Sequence, residues 1–180
     1  GEATEKMVQR AIQLGLQKYC LTEHAPLPPE FKQQYAGGET GITEASLTMA
    51  QVPTYLALAR GLQEKYAAQI ELSIGFEVDF LPDHVAWTKA FMQQYGPQTQ
   101  ESILSVHFMR GQGERFWCVD NGTADFNRGF QQWFADPQLL FKRYYQTVLA
   151  SVQADLGLDA PQRIGHMSLV RKYQDFFALT

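Results

Sequence analysis

Four side chains of metal-binding type occupy one kind of place in this chain, at or just past the end of a short apolar run. Lys18-Tyr19-Cys20-Leu21-Thr22 leads into Glu23 and His24, and Ile70-Glu71-Leu72-Ser73-Ile74-Gly75-Phe76 ends at Glu77. Ile103-Leu104-Ser105-Val106 ends at His107, and Arg163-Ile164-Gly165 ends at His166. Short apolar runs separated by helical patterns read as buried parallel strands. Ligands at the carboxyl ends of such strands converge on one mouth of an α/β barrel or sheet. Imidazole and carboxylate suit Zn, Mn or Fe. The chain has 4 histidines, and three of them stand in this position. The pattern therefore predicts a metal site built from His24, Glu77, His107 and His166, with Glu77 and His107 at the chemical centre.

Each residue also has an ordinary reading. A carboxylate closing an apolar run is costly to bury alone, but an arginine or water satisfies it as well as a metal does. A lone histidine after such a run is more often a satisfied core residue than a ligand. It is the recurrence at four strand ends that favours metal. His84, in Pro82-Asp83-His84-Val85, opens a helix and reads as solvated. Glu23 neighbours His24 and points to the opposite face, as an outer partner or an N-cap-like acceptor. Arg163, three residues before His166, is within reach of the same mouth and has the bidentate chemistry for a substrate phosphate. A surface arginine at a strand start is the equal alternative. Arg110 and Arg115 flank a turn and read as solvated.

The elements that would position these groups follow from periodicity. Residues 2–16 place Met7, Val8, Ala11, Ile12, Leu14 and Leu16 on one broad helical stripe, with Gly15 as a cap. Residues 25–41, rich in Pro and Gly, read as a long loop of the kind that forms functional lids. A helix is expected over 43–68, broken or kinked by Pro53 near Val52. A strand over 70–77 and a helix from Pro82 to Tyr95 follow, the latter stopped by Gly96-Pro97. After the strand at 103–107 comes a hairpin, with Gly111-Gln112-Gly113 between its arms. Helices are expected over 123–134 and 137–156, the second closed by Gly157. A short strand at 162–165 and a helix at 168–178 complete the pattern. This order favours an α/β barrel-like fold over an open sheet, although four main strands would not close a barrel.

Composition narrows the function classes. The 180 residues and 45% hydrophobic content suit one ordinary domain with a real core, here residues 1–180. A net charge of -4 argues against nucleic acid as partner. No apolar run is long enough for a membrane span. The first residues lack a signal-peptide core, and 2 cysteines, Cys20 and Cys118, make no disulfide framework. A reduced, cytoplasmic setting is expected.

Several motifs occur together in order: Thr22-Glu23-His24-Ala25-Pro26-Leu27, Gly75-Phe76-Glu77-Val78-Asp79, Tyr95-Gly96-Pro97-Gln98-Thr99, Leu104-Ser105-Val106-His107-Phe108, Ala154-Asp155-Leu156-Gly157-Leu158 and Arg163-Ile164-Gly165-His166-Met167-Ser168-Leu169. In this the chain resembles histidinol-phosphatases of the polymerase-and-histidinol-phosphatase (PHP) family over nearly its whole length. The resemblance implies a distorted (β/α)7 barrel with up to three divalent metals at the strand carboxyl ends. It implies hydrolysis of L-histidinol phosphate, a small phosphate ester, to L-histidinol and phosphate in histidine biosynthesis. It further implies that Glu77 bridges two metals, that His107 and His166 bind one of them, and that His24 binds another.

The family's opening His-x-His pair and closing Asp-x-His motif have no counterpart here. The expectation is therefore an incomplete PHP barrel, a fragment of a longer protein or a truncated gene product. Two metals clamping the phosphoryl and attacking oxygens would be the family chemistry. A catalytically inactive fragment that binds metal or a partner is the alternative. A nuclease-like or polymerase-associated role is disfavoured by the acidic balance.

Overall fold

The computed structural model describes residues 2–43 and 45–180. Helix α1 (Glu2–Gln13) leads into strand β1 (Lys18–His24), followed by two single-turn helices, α2 (Phe31–Gln34) and α3 (Thr40–Thr43). Helix α4 (Val52–Tyr66), strand β2 (Glu71–Asp79), helix α5 (Val85–Tyr95) and strand β3 (Ile103–Ser105) come next. A hairpin of β4 (Phe108–Arg110) and β5 (Phe116–Cys118), helices α6 (Thr123–Phe130) and α7 (Pro137–Gln153), and strand β6 (Arg163–Ile164) complete the order. Strands β1, β2, β3 and β6 form one parallel sheet in that spatial order. Strands laid down in chain order, with helices between them, are barrel-like rather than doubly wound. The α/β, barrel-like expectation therefore holds. Among the described residues no helix is long and apolar enough to cross a membrane.

Strand β2 shows how the sheet is held. Leu72, Ile74, Phe76 and Val78 alternate onto one face and are all buried. Phe76 is fully enclosed, with ring centroids of Tyr55 at 5.4 Å and Phe91 at 5.1 Å; burying a side chain of this size contributes about 2–3 kcal/mol. The Tyr55 hydroxyl stands 2.8 Å from the Leu21 carbonyl and 2.7 Å from the Gly75 carbonyl, tying α4 to β1 and β2 at once. The opposite face of β2 carries Ser73, Glu77 and Asp79. A second core under the hairpin joins Phe31, Tyr35, Leu81, Phe108, Phe116 and Cys118. It fixes the segment after β1, which carries two helical turns where a plain loop was expected.

Several boundaries differ from expectation, each for a local reason. Gly15, at φ +75°, does cap α1, with Leu16 N–H donating to the Ala11 carbonyl at 3.1 Å. The stripe on α1 is narrower than its sequence suggests: Val8 and Ala11 are buried, while Met7, Leu14 and Leu16 are exposed, because α1 flanks an edge strand. Pro53 does not break a helix; it lies in the first turn of α4, where a missing N–H costs nothing. Helix α7 ends at Gln153, before Gly157, whose N–H is taken by Asp155 Oδ1 at 3.0 Å. The helix expected over 168–178 is reduced to a single 3-10 turn, Leu169–Arg171. There Tyr173 and Phe177 pack on Phe126, and tertiary contact overrides local propensity.

Candidate metal centre

His24 is the last residue of β1 and is paired in register with Glu77 of β2. Strand β2 continues past Glu77 to Asp79, two residues on and so on the same face. Strand β3 stops at Ser105, and His107 lies in the link to the hairpin, its carbonyl accepting Val119 N–H at 2.8 Å. His166 follows β6 by two residues. Gly165 makes that approach possible, because a Cβ there would stand 2.2 Å from Ser105 Oγ.

The side chains converge around Glu77. Its Oε1 accepts Ser105 Oγ–H at 2.7 Å and lies 3.0 Å from His166 Nε2 and 3.5 Å from His107 Nε2. Its Oε2 lies 3.6 Å from His24 Nε2. The carboxylate thus faces His107 and His166 with one oxygen and His24 with the other. Asp79 is buried beneath, its Oδ1 2.7 Å from His107 Nδ1 and its Oδ2 3.8 Å from His24 Nδ1. The imidazole rings follow one another, with centroids 5.0 Å apart for His24 and His107 and 4.7 Å for His107 and His166.

Electrostatics follow from this crowding. Burial alone would raise Glu77, but hydrogen bonds from His166 and Ser105, with the charges of His107 and His24, outweigh it and hold the carboxyl at about 2. Burial opposes ionisation of Asp79 too, yet His107 and His24 keep it below the usual carboxylate range. His107 is held above its ordinary value: burial works against its charge, and Asp79 and Glu77 overcome it. The Asp79 hydrogen bond also raises His24. Among the described residues no lysine or arginine pairs with Glu77 or Asp79. Among the described residues the only groups facing these carboxylates that can carry positive charge are imidazoles.

Two three-donor groups result: Glu77, His107 and His166, and His24, Asp79 and His107. In each, the ligand atoms lie within 4.8 Å of one another. Mixed imidazole and carboxylate donors at this spacing fit a divalent transition ion. Because His107 Nδ1 is committed to Asp79, its Nε2 is the atom turned toward Glu77, an arrangement in which a carboxylate orients a ligand histidine. Asp79 was not singled out from the sequence, although its i, i+2 spacing from Glu77 carried the signal.

The PHP domain family model matches residues 2–179. This chain belongs to the PHP domain family. It is 29% identical over 176 residues to the histidinol-phosphatase of Bacillus subtilis, a match covering 98% of this chain and 63% of that protein. It is 24% identical over 175 residues to a provisionally named histidinol-phosphatase of Deinococcus radiodurans, covering 59% of it. The crystal structure of hisK from Listeria monocytogenes, provisionally a histidinol phosphatase, superposes with a TM-score of 0.92 at 40% identity, over 97% of this chain and 64% of that one. The chain thus spans less than two thirds of the length of these relatives.

Other candidates lie elsewhere. Arg163 is not brought to the centre. Its guanidinium is 3.3 Å from Glu101 Oε2, and Glu101 also pairs with Lys18, the first residue of β1. Glu101 holds Arg163 among the amino-terminal residues of the strands. Arg110 pairs with Asp83, and Arg115 donates to the Gln33 and Tyr35 carbonyls. His84 is half-buried, meeting Gln34 Oε1 at 2.9 Å and the edge of Phe31. Glu23 is exposed on the face opposite His24.

Proposed function

We propose that this PHP domain serves metal-dependent hydrolysis of a phosphate monoester, with L-histidinol phosphate as substrate. The observation that carries the reading is Glu77, a carboxylate flanked on both oxygens by imidazoles and by no lysine or arginine among the described residues. The names of the Bacillus and Deinococcus relatives supply the substrate.

Glu77, His107 and His166 would hold one divalent ion, and His24 with Glu77 Oε2 would contribute to a second. Such ions supply positive charge to phosphoryl oxygens and acidify a water nucleophile. The chain's own residues supply position. Asp79 fixes the His107 tautomer through Nδ1, so that Nε2 is presented to the site. Ser105 orients Glu77 with a hydrogen bond to Oε1. A pocket of about 160 Å3 opens against His24, Asp79 and His107, with Gly41, Ala45 and Ser46 on one wall and Cys118, Asp120 and Asn121 on another. It gives a small ester access to the cluster.

The test is steady-state phosphate release from histidinol phosphate by protein carrying this chain, with added Mn, Zn or Fe. Turnover that excess chelator abolishes and metal restores supports the proposal. Turnover that persists after elemental analysis confirms metal removal refutes the metal mechanism. The second reading, a chain that binds metal without turnover, rests on the two three-donor groups alone. Assaying the 180-residue chain by itself separates the two.

A further inference from the structure

One carboxylate in the pocket remains outside the metal chemistry. Asp120 lines the same pocket as His24 and His107 but belongs to neither three-donor group. It follows β5 directly and is anchored through its backbone, whose carbonyl accepts Tyr173 Oη–H at 2.8 Å. Its side chain has a thiol and a half-exposed ammonium for partners. Oδ1 accepts only a weak S–H bond from Cys118 at 3.1 Å, and Oδ2 stands 3.4 Å from Lys172 Nζ. Lys172 is itself about half exposed and is not one of the residues lining the pocket. Burial pushes the Cys118 thiol up, so Cys118 stays a neutral neighbour.

The pocket wall therefore presents a carboxylate with acceptor capacity to spare. Asn121 is beside it, and no lysine or arginine side chain is among the described lining residues. Charge for a phosphoryl group would come from ions or imidazoles at the Glu77 cluster, on the side of His24 and His107. The remainder of the substrate meets negative charge, which favours a substrate carrying its own cation and disfavours a second anionic group.

We propose that Asp120 is the subsite for a protonated amine, making the site selective for phosphate monoesters of amino alcohols. This rests on the phosphatase reading and adds to it a specificity residue. An ammonium group brings three donors on one positive charge, which suits a carboxylate with two oxygens. Charge-assisted hydrogen bonds of this kind are about twice as strong as neutral ones.

The experiment compares two esters, histidinol phosphate and imidazolylpropyl phosphate, which is the same ester without its amine. Both are assayed with Mn-loaded protein carrying this chain, as wild type and as Asp120→Asn. The readout is the ratio of the two kcat/KM values. The expected result is a wild-type preference for the amine-bearing ester that shrinks about tenfold or more in Asp120→Asn, mostly through KM. Calorimetry with histidinol itself should show weakening of similar size without any turnover. A ratio within about twofold of wild type overturns the subsite and leaves the phosphatase reading standing. If Asp120 only holds Lys172 and Tyr173 in place, the variant lowers Tm and both rates together while the ratio stays fixed, which also overturns it. Failure of the wild type to hydrolyse either ester removes the phosphatase reading, and this inference falls with it.

Discussion

Two charged clusters occupy one face of one sheet, and they are built on opposite terms. At the amino-terminal residues of the strands, Lys18 pairs with Glu71 and Glu101, and Glu101 also takes Arg163. Cations and carboxylates are balanced there by groups that keep their charge at any ordinary pH. At the carboxyl ends, Glu77 and Asp79 face three histidines, and an imidazole, unlike a lysine or arginine, gives up its proton when it takes a metal ion. The first cluster is already satisfied. The second becomes an excess of donors once its imidazoles are neutral, and a divalent ion then balances it. The identity of the partner, rather than the presence of charge, distinguishes a binding site from an ion-pair network.

The largest effect that could break this contrast is at Glu77. Glu77→Gln should remove metal from the protein and lower ester hydrolysis by about 10^3-fold, as loss of several kcal/mol of charge stabilisation implies. Metal content and turnover measured on one preparation decide it, and near wild-type values in both would erase the distinction between the clusters. Asp79→Asn should cost less, about 10–100-fold in metal affinity, because it loosens the orientation of His107 without deleting a ligand. Competition against a chelator of known affinity gives that number.

A pH series sharpens the contrast in metal-free protein. Glu77 is depressed from 4.5 to about 2, so its contribution to stability is present above pH 4.5 and is lost as pH falls toward 2. His107 is raised above 6.5, so its contribution is present below pH 6.5 and is lost as pH rises through its folded value. The Tm difference between wild type and Glu77→Gln should therefore peak between about pH 4.5 and 6.5 and shrink on both sides. With metal bound, the alkaline loss should disappear, since metal binding releases the imidazole protons. The smallest expected effect is at the other cluster. Arg163→Met should leave metal content and turnover unchanged and lower Tm slightly, since a half-exposed ion pair contributes little.

Much of this was legible in the sequence because strand ends carry the chemistry. Apolar runs located β1, β2, β3 and β6 well enough to bring His24, Glu77, His107 and His166 to one mouth. Asp79 was hidden because β2 was taken to end at Glu77; two more strand residues place it on the same face. Arg163 was misplaced because spacing along a strand does not reveal which carboxylate competes for a guanidinium, and Glu101 lies far away in sequence. The final helix failed because Phe126 offered Tyr173 and Phe177 better packing than a regular helix would have. Side-chain periodicity is local, whereas these outcomes were decided by long-range partners.

Anomalous diffraction from crystals grown with Mn or Zn tests the central claim most directly. The account predicts a peak among Glu77, His107 Nε2 and His166, with bonds of about 2.0–2.2 Å for Zn, and none at Glu101. Metal-loaded crystals with no peak at Glu77, or with the ion at Glu101 and Arg163 instead, would contradict it.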